Sequence, residues 1–397
     1  MATDPTRNQP LPRLLTTARA GGRSDRLRAA PRAHRLAQGV WCLSESPPTA
    51  VQRAVLLREH LSSARSPLRL TGFTALQLLG LPVPAGHSWV RTVLRGRRPP
   101  HGHDLRHHLT STVHLAWDVT RFHSHLPDVR ISRSLGTPTV LGPYGAPLVD
   151  PVEALVAAAP MMESWAITAT LDALLSAGSV TRVLPAAQEQ PAPGLPVHGR
   201  STPQGAPMSS APPRSEKRGA APITPGSQSV WTPEGCSEPP WFQPVTCTPD
   251  VLRRALDLMP PHSGGVRAVR VALGRTAANT WSPMETLLRL IVVASGLPAP
   301  EMNVEVRTPY GTRYLDTAWR EPKLALEFNG RVHTTDFAAY KDEMHRLEVL
   351  RDLGWAVRVL VYDDLRDPRR RAAWLQWLER GLGRTHGPTG HPRGLGA

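Results

Sequence analysis

Between residues 282 and 366 the apolar positions follow two periods in turn. In "SPMETLLRLIVVASGLP" Met284, Leu287, Leu288, Ile291 and Val292 recur at helical spacing, predicting a helix with one apolar stripe. Ser282 suits its N-cap, Pro283 its first helical position and Glu285 a capping box, while Gly296 and Pro298 end it. After Pro300 the period becomes two. A turn centred on Glu321–Pro322 sets Asp316 opposite Glu327, Ala318 opposite Ala325 and Trp319 opposite Leu324. One strand face then holds Leu315, Thr317, Trp319, Leu324, Leu326 and Phe328. The other holds Asp316, Ala318, Ala325, Glu327 and Asn329. Asp336 can cap a helix that turns Phe337, Tyr340, Met344, Leu347 and Leu350 inward. Gly354 ends that helix, and "WAVRVLVY" is a β-branched strand. Helix, hairpin, helix, strand is the order of a small α/β sheet sandwiched by helices.

The remainder divides by composition. Residues 1–25 read as a loose, basic arm. Residues 26–184 read as an α+β region of winged-helix-like order. It starts with a short helix and a strand through Val40, Trp41, Cys42 and Leu43, followed by the helix of "PTAVQRAVLLREHLSSAR". Thr71 then opens a short helix that Gly80 and Pro82 close, short strands run from about 88 to 148, and two helical segments follow Asp150. Between Pro185 and Pro249 lie 15 of the chain's 42 prolines, so 185–248 is expected to be a disordered linker. A helical lead-in, 249–281, precedes the terminal module, 282–383, and 384–397 is expected to be a disordered tail.

Length and charge sharpen this picture. At 397 residues the chain has room for two or three domains. Its formal charge is +15, concentrated at the front: 1–186 carries 21 basic and 11 acidic residues, 282–366 carries 11 and 13. Basic surface attracts nucleic acid through phosphate contacts, although 44 arginines beside three lysines also fit codon bias. Three cysteines without a CxxC pair indicate neither a disulfide framework nor a zinc ribbon and fit a reducing cytoplasm. No apolar run approaches the roughly 18 residues of a membrane span, and the start lacks the apolar middle of a secretory signal.

Candidate chemistry centres on the hairpin acids. Directly opposed like charges are destabilising, so Asp316 and Glu327 either share a proton, hold a hard cation such as Mg²⁺, or are hydrated on an exposed edge. The small Ala318 and Ala325 leave room in front of them. The histidines of "HGHDLRHHLTSTVH" (His101, His103, His107, His108, His114) have no stable i,i+4 face and only Asp104 as a companion acid. They are read as non-ligating. Cys236 and Cys247 are read as incidental.

The elements "SPMETLLR", "GLPAPE", "YLDTAW", "LALEFNGRVH", "KDEMHRLEVLRDLGWAVRVL" and "YDDL", in that order over about 282–366, resemble the very-short-patch-repair-like endonucleases. These are a branch of the PD-(D/E)xK restriction-endonuclease superfamily. The resemblance implies a restriction-endonuclease-like mixed sheet flanked by helices, and a DNA endonuclease dependent on Mg²⁺ or Mn²⁺. It implies Asp316 as the central metal ligand, Glu327 as the second acid and Glu285 as the supporting acid. His333 would lie next to the scissile phosphate. Glu285 also has its capping-box explanation, and His333 that of a plain turn histidine. Asp342 and Arg346 match a D-x-x-x-R pattern. The superfamily's lysine position is Asn329 here, so His333 or Lys341 substitutes for it, or the site binds DNA without cutting. At the front, "RLAQGVWCL" and "LTGFTALQLLGLPVP" resemble the winged-helix unit of abortive-infection, type IV antitoxin-like proteins, which implies a toxin–antitoxin partner. The expectation is a cytoplasmic DNA-binding protein with a metal-dependent nuclease module. The alternative is a DNA-binding regulator or antitoxin-like protein on a nuclease fold without activity.

Overall fold

The computed structural model describes residues 10–16, 27–28, 30–96, 99, 105–118, 124–176, 247–329 and 337–383, with backbone alone at 106, 337–340 and 342–343. His333, Cys236, the expected linker up to residue 246 and the expected tail lie outside the described residues.

The fold is mixed α/β. The first sheet is antiparallel, in the order β1 (Arg13–Thr16), β3 (Val40–Leu43), β2 (Ala33–Ala37). It corrects the sequence reading twice. Arg13–Thr16 belong to a strand rather than a loose arm, with Leu14 and Leu15 opposite Cys42 and Trp41. Residues 27–28 are helical, but Ala33–Ala37, directly before Val40, form a strand. Gln38 and Gly39 form a two-residue turn with Gly39 at φ +73°, a geometry glycine adopts freely.

Next come α1 (Ala50–Leu61), β4 (Leu68–Leu70), α2 (Gly72–Leu78), α3 (Ser88–Val93), α4 (Leu105–Thr110), β5 (Val113–Trp117), β6 (Val129–Arg133), β7 (Val140–Leu141) and β8 (Pro147–Leu148). The strands form a mixed sheet ordered β6-β5-β4-β8-β7. Helix α1 starts at a complete capping box: Thr49 accepts from the Gln52 N–H, and the Gln52 side chain accepts from the Thr49 N–H. Thr71 is the N-cap residue of α2 as expected, but its side chain makes no capping hydrogen bond.

Helices α5 (Pro151–Ala158) and α6 (Ser164–Ser176) follow, then, beyond the proline-rich segment, α7 (Pro249–Asp257), α8 (Val266–Leu273) and α9 (Pro283–Ala294). The chain ends in β9 (Glu301–Thr308), β10 (Gly311–Trp319), β11 (Leu324–Phe328), α10 (Phe337–Asp352), β12 (Ala356–Leu360), α11 (Tyr362–Arg366) and α12 (Pro368–Gly381). The last sheet is ordered β12-β11-β10-β9, with β11 and β12 parallel across α10 and the other pairs antiparallel.

The chain on either side of the proline-rich segment shares one core. Leucines of α1, α2 and β4 and residues of α7, α8, α9 and α12 belong to one buried cluster. A buried polar knot reinforces it. Asp172 on α6 accepts from the Ala277 N–H, the Thr286 hydroxyl and the Arg289 guanidinium, each at 2.8 Å, and so ties α6 to α9. Burial raises the Asp172 pKa against the opposing pull of Arg289 and these hydrogen bonds. Trp374 of α12 is fully buried, its Nε1–H donating to the Asp364 carbonyl at 3.1 Å. Among the described residues no helix is long and apolar enough to cross a membrane.

Candidate functional site

Pairing of β10 with β11 follows the register read from the sequence: Thr317 faces Leu326, Ala318 faces Ala325 and Trp319 faces Leu324. Continuing it sets Asp316 across from Glu327. The face assignment is corrected at Asp316. Leu315 and Ala318, three apart on one strand, pack in one cluster with Val304, Val306, Ala325, Leu350 and Trp355. Trp319, Leu324 and Leu326 pack instead in the main core with α9 and α12. On the neighbouring strand Asn303, across from Asp316, has φ +46°, while the β9–β10 register runs on without a shift. Nor do Ala318 and Ala325 leave an open recess, because Leu350 and Trp355 cover them. Met344, expected inward, is 38% exposed, while Leu347 and Leu350 are buried as expected.

Both hairpin acids are buried, Asp316 at 5% and Glu327 at 6% exposure, which removes the hydrated-edge alternative. Asp316 Oδ2 accepts from the Phe328 N–H at 2.8 Å. Glu327 is gripped at both oxygens by Arg346 of α10, at 3.0 and 3.4 Å, so the unassigned arginine of the D-x-x-x-R pattern is its counter-ion. Asn329 follows β11 and donates its N–H to the Leu360 carbonyl at 2.8 Å, and Lys341 is exposed on α10.

Glu285 joins this group from α9. Ser282 accepts from the Glu285 N–H at 3.2 Å, as a capping residue should. The reciprocal half of the expected capping box is displaced. Glu285 Oε2 accepts from the N–H of Trp281, one residue earlier, at 2.9 Å and from Asn303 Nδ2 at 2.7 Å. Burial pushes the Glu285 carboxyl up to about 7. The nearby Glu327 charge pushes the same way, against the hydrogen bonds of Trp281, Asn303 and Ser282. The sequence reading missed Asn303 and its partner Asn279, which sits at φ +62° and donates Nδ2 to the Met302 and Asn303 carbonyls at 3.1 Å. An asparagine inside a strand pattern was the available signal, since asparagine tolerates positive φ. Two buried side-chain oxygens here, Asn303 Oδ1 and Thr317 Oγ1, have no hydrogen-bond partner among the described residues.

Glu285 thus lies near enough to feel the Glu327 charge, and Asp316 lies across from Glu327, whereas His333 lies outside the described residues. Among the described residues no three His, Cys, Asp or Glu side chains converge as a ready-made metal cage. The donors present still fit a hard divalent cation. They are carboxylate oxygens, and Mg²⁺ is commonly held by one or two carboxylates completed by water and substrate phosphate.

The front histidines behave differently. His114 on β5 is buried, packs edge-on against Phe73 with ring centroids 5.5 Å apart, and has Nε2 3.3 Å from His108 Nδ1. Burial first, then His108 and Arg130, lowers its pKa to about 3. His101, His103 and Asp104 lie outside the described residues.

No family model matches the chain, and no solved structure matches it. Two proteins of Mycobacterium tuberculosis are similar to part of it: "Uncharacterized protein MT2308" of strain CDC 1551 / Oshkosh and "Uncharacterized protein Rv2248" of strain ATCC 25618 / H37Rv. Each is 32% identical over 111 residues, which is 28% of this chain. The matched region spans 41% of the length of those relatives.

Proposed function

We propose that the chain is a DNA-binding protein whose terminal module is a metal-dependent endonuclease hydrolysing phosphodiester bonds. The observation that carries this reading is the burial of Glu285, Asp316 and Glu327, with Asp316 across from Glu327 and Glu285 near enough to feel its charge. Burying like charges is costly, and the cost is most readily understood where a cation and a phosphate are to be received. The sheet order β12-β11-β10-β9, with its parallel β11/β12 pair, supports a restriction-endonuclease-like arrangement. Asp316 and Glu327 would hold Mg²⁺ or Mn²⁺, with Glu285 in support. Such an ion polarises a phosphoryl oxygen and makes water nucleophilic near neutral pH. The chain's own part is positional. The Phe328 N–H fixes Asp316, and Arg346 fixes Glu327 and offsets its charge. His333 is suited to moving a proton at the phosphate oxygen. The basic front half, +10 over 1–186, supplies phosphate contacts for duplex DNA. A cytoplasmic location and a toxin–antitoxin partner complete the proposal.

Two observations favour a second reading, a DNA-binding regulator or antitoxin-like protein that no longer cuts. Asn329 has no titratable group at the lysine position, and Arg346 already occupies both oxygens of Glu327. Supercoiled plasmid incubated with the protein and Mg²⁺, Mn²⁺ or EDTA separates the two. Nicking that needs the cation and disappears in both Asp316→Asn and Glu327→Gln supports the nuclease. DNA binding by all three proteins without nicking supports the regulator.

A further inference from the structure

Asn303 sits inside β9 at φ +46°, in the left-handed region that asparagine tolerates better than most residues. Its neighbours Met302 and Val304 face Thr317 and Leu315 across the strand pair, so Asn303 lies across from Asp316. Its Nδ2 is committed twice, to the Asn279 carbonyl at 2.8 Å and to Glu285 Oε2 at 2.7 Å. Both are acceptors, which fixes the amide with its nitrogen towards Glu285 and its oxygen turned away. That oxygen has no hydrogen-bond partner among the described residues, although the residue is only 2% exposed. Burying an unsatisfied carbonyl oxygen costs on the order of 1–3 kcal/mol. Here Asp316 lies across the strand pair and Glu285 takes the amide nitrogen, and both are carboxylates, which are acceptors too. A cation is a partner that such a set of oxygens can share.

We propose, building on the reading of the module as a cation-dependent nuclease, that Asn303 Oδ1 is a ligand of the divalent cation beside Asp316 and Glu327. Glu285 is then a positioning residue, which orients the Asn303 amide instead of ligating the ion. Hard divalent cations accept amide carbonyl oxygens readily, and an amide adds a donor without adding negative charge to a crowded acidic site. Glu285 stands behind it as carboxylates stand behind metal-binding histidines, taking the N–H side of the ligand so that its other atom faces the ion. The two N–H donors already on Glu285 Oε2, from Trp281 and Asn303, fit that role.

The test is Mn²⁺ binding to the full chain by titration calorimetry, with circular dichroism as the check on folding. Asn303→Gly keeps the left-handed backbone and removes the oxygen, and it weakens Mn²⁺ by at least about tenfold. Asn303→Asp keeps an oxygen at the position and binds within about threefold of the original, or tighter. Glu285→Gln retains an oxygen for both N–H donors and also stays within about threefold. An unchanged affinity in a folded Asn303→Gly overturns the proposal. So does a tenfold loss in Glu285→Gln, which would make Glu285 the ligand, and that arm decides even if the glycine variant does not fold. Absence of Mn²⁺ binding by the original protein overturns the proposal together with the nuclease reading. Mn²⁺ binding that depends on Asn303 without plasmid nicking keeps the site and removes the nuclease. Nicking with Mn²⁺ affinity indifferent to Asn303 does the reverse.

Discussion

The front sheet and the terminal sheet both bury ionisable side chains, with opposite consequences at neutral pH. On β5, His114 is buried against Phe73 and beside His108, and its pKa is lowered to about 3. It is neutral under ordinary conditions, so packing alone accounts for it. On α9, Glu285 is as deeply buried, but its carboxyl, raised to about 7, sits half ionised near neutrality in an acidic neighbourhood. A buried imidazole at pH 7 behaves as a polar aromatic, whereas a buried carboxyl there is a standing cost. Packing does not call for such a cost.

Acid titration gives the sharpest separation. The folded-state pKa of His114, about 3, lies below its ordinary 6.5, so the unfolded chain binds the extra proton. The stability tied to His114 is therefore complete above pH 6.5 and is lost as pH falls towards 3. At roughly 1.4 kcal/mol per pH unit this comes to about 5 kcal/mol over the whole range. Urea midpoints between pH 7.5 and 4 should fall steeply in the original protein and less in His114→Gln. Identical slopes would erase the front half of the contrast.

Asp172→Ala tests whether the two regions stand or fall together. The substitution leaves Arg289, which is 6% exposed, without its carboxylate. Stranding a buried guanidinium costs about 3–5 kcal/mol. The loss also removes the acceptor for Thr286 and Ala277, and with it the tie between α6 and α9. Thermal unfolding by calorimetry should drop sharply and split into two transitions. A single transition shifted by less than about 1 kcal/mol would show that the apolar core alone joins the regions.

The two regions also differed in how much the sequence disclosed. The β10–β11 register was legible because alanine faces alanine, Trp319 faces Leu324, and a proline marks the turn. The kink at Asn303 was not, because period-two reasoning assumes φ below zero at every strand position. Leu315 packs on the face covered by Leu350 and Trp355, and Asn303 brings an unforeseen amide to Glu285. In the front half Gln38–Gly39 between apolar residues was a hairpin signal that the arginines and alanines around it masked as a helix. Helices α3 and α4 are six residues each, too short for helical spacing to repeat, and strands were expected there. Arg346 matched a pattern, but its partner Glu327, 19 positions away, only emerged from the fold.

Glu285→Gln probes the terminal half of the contrast. Its folded-state pKa lies above the ordinary 4.5, so the native state holds the extra proton, and stability is lost as pH rises from 4.5 through about 7. In EDTA the glutamine variant should gain about 3 kcal/mol at pH 8 and nothing at pH 4.5, the reverse of the His114 profile. Equal stability of the two proteins at pH 8 would mean that Trp281, Asn303 and Ser282 fully offset the burial.

The smallest effect compares the same change at two helix starts. Thr49→Ala on α1 and Ser282→Ala on α9 each remove one side-chain acceptor from an N3 backbone N–H, at 3.1 and 3.2 Å. Each should cost about 1 kcal/mol. At α1 the consequence ends there, because among the described residues the Gln52 side chain returns only to the Thr49 N–H. At α9 the same loss loosens the first turn that carries Glu285, and through it the Asn303 amide at 2.7 Å. Ser282→Ala should therefore weaken Mn²⁺ binding by about two- to threefold, while Thr49→Ala leaves it unchanged. Equal Mn²⁺ affinities in the two variants would place the α9 cap, like the α1 cap, in the service of helix stability alone.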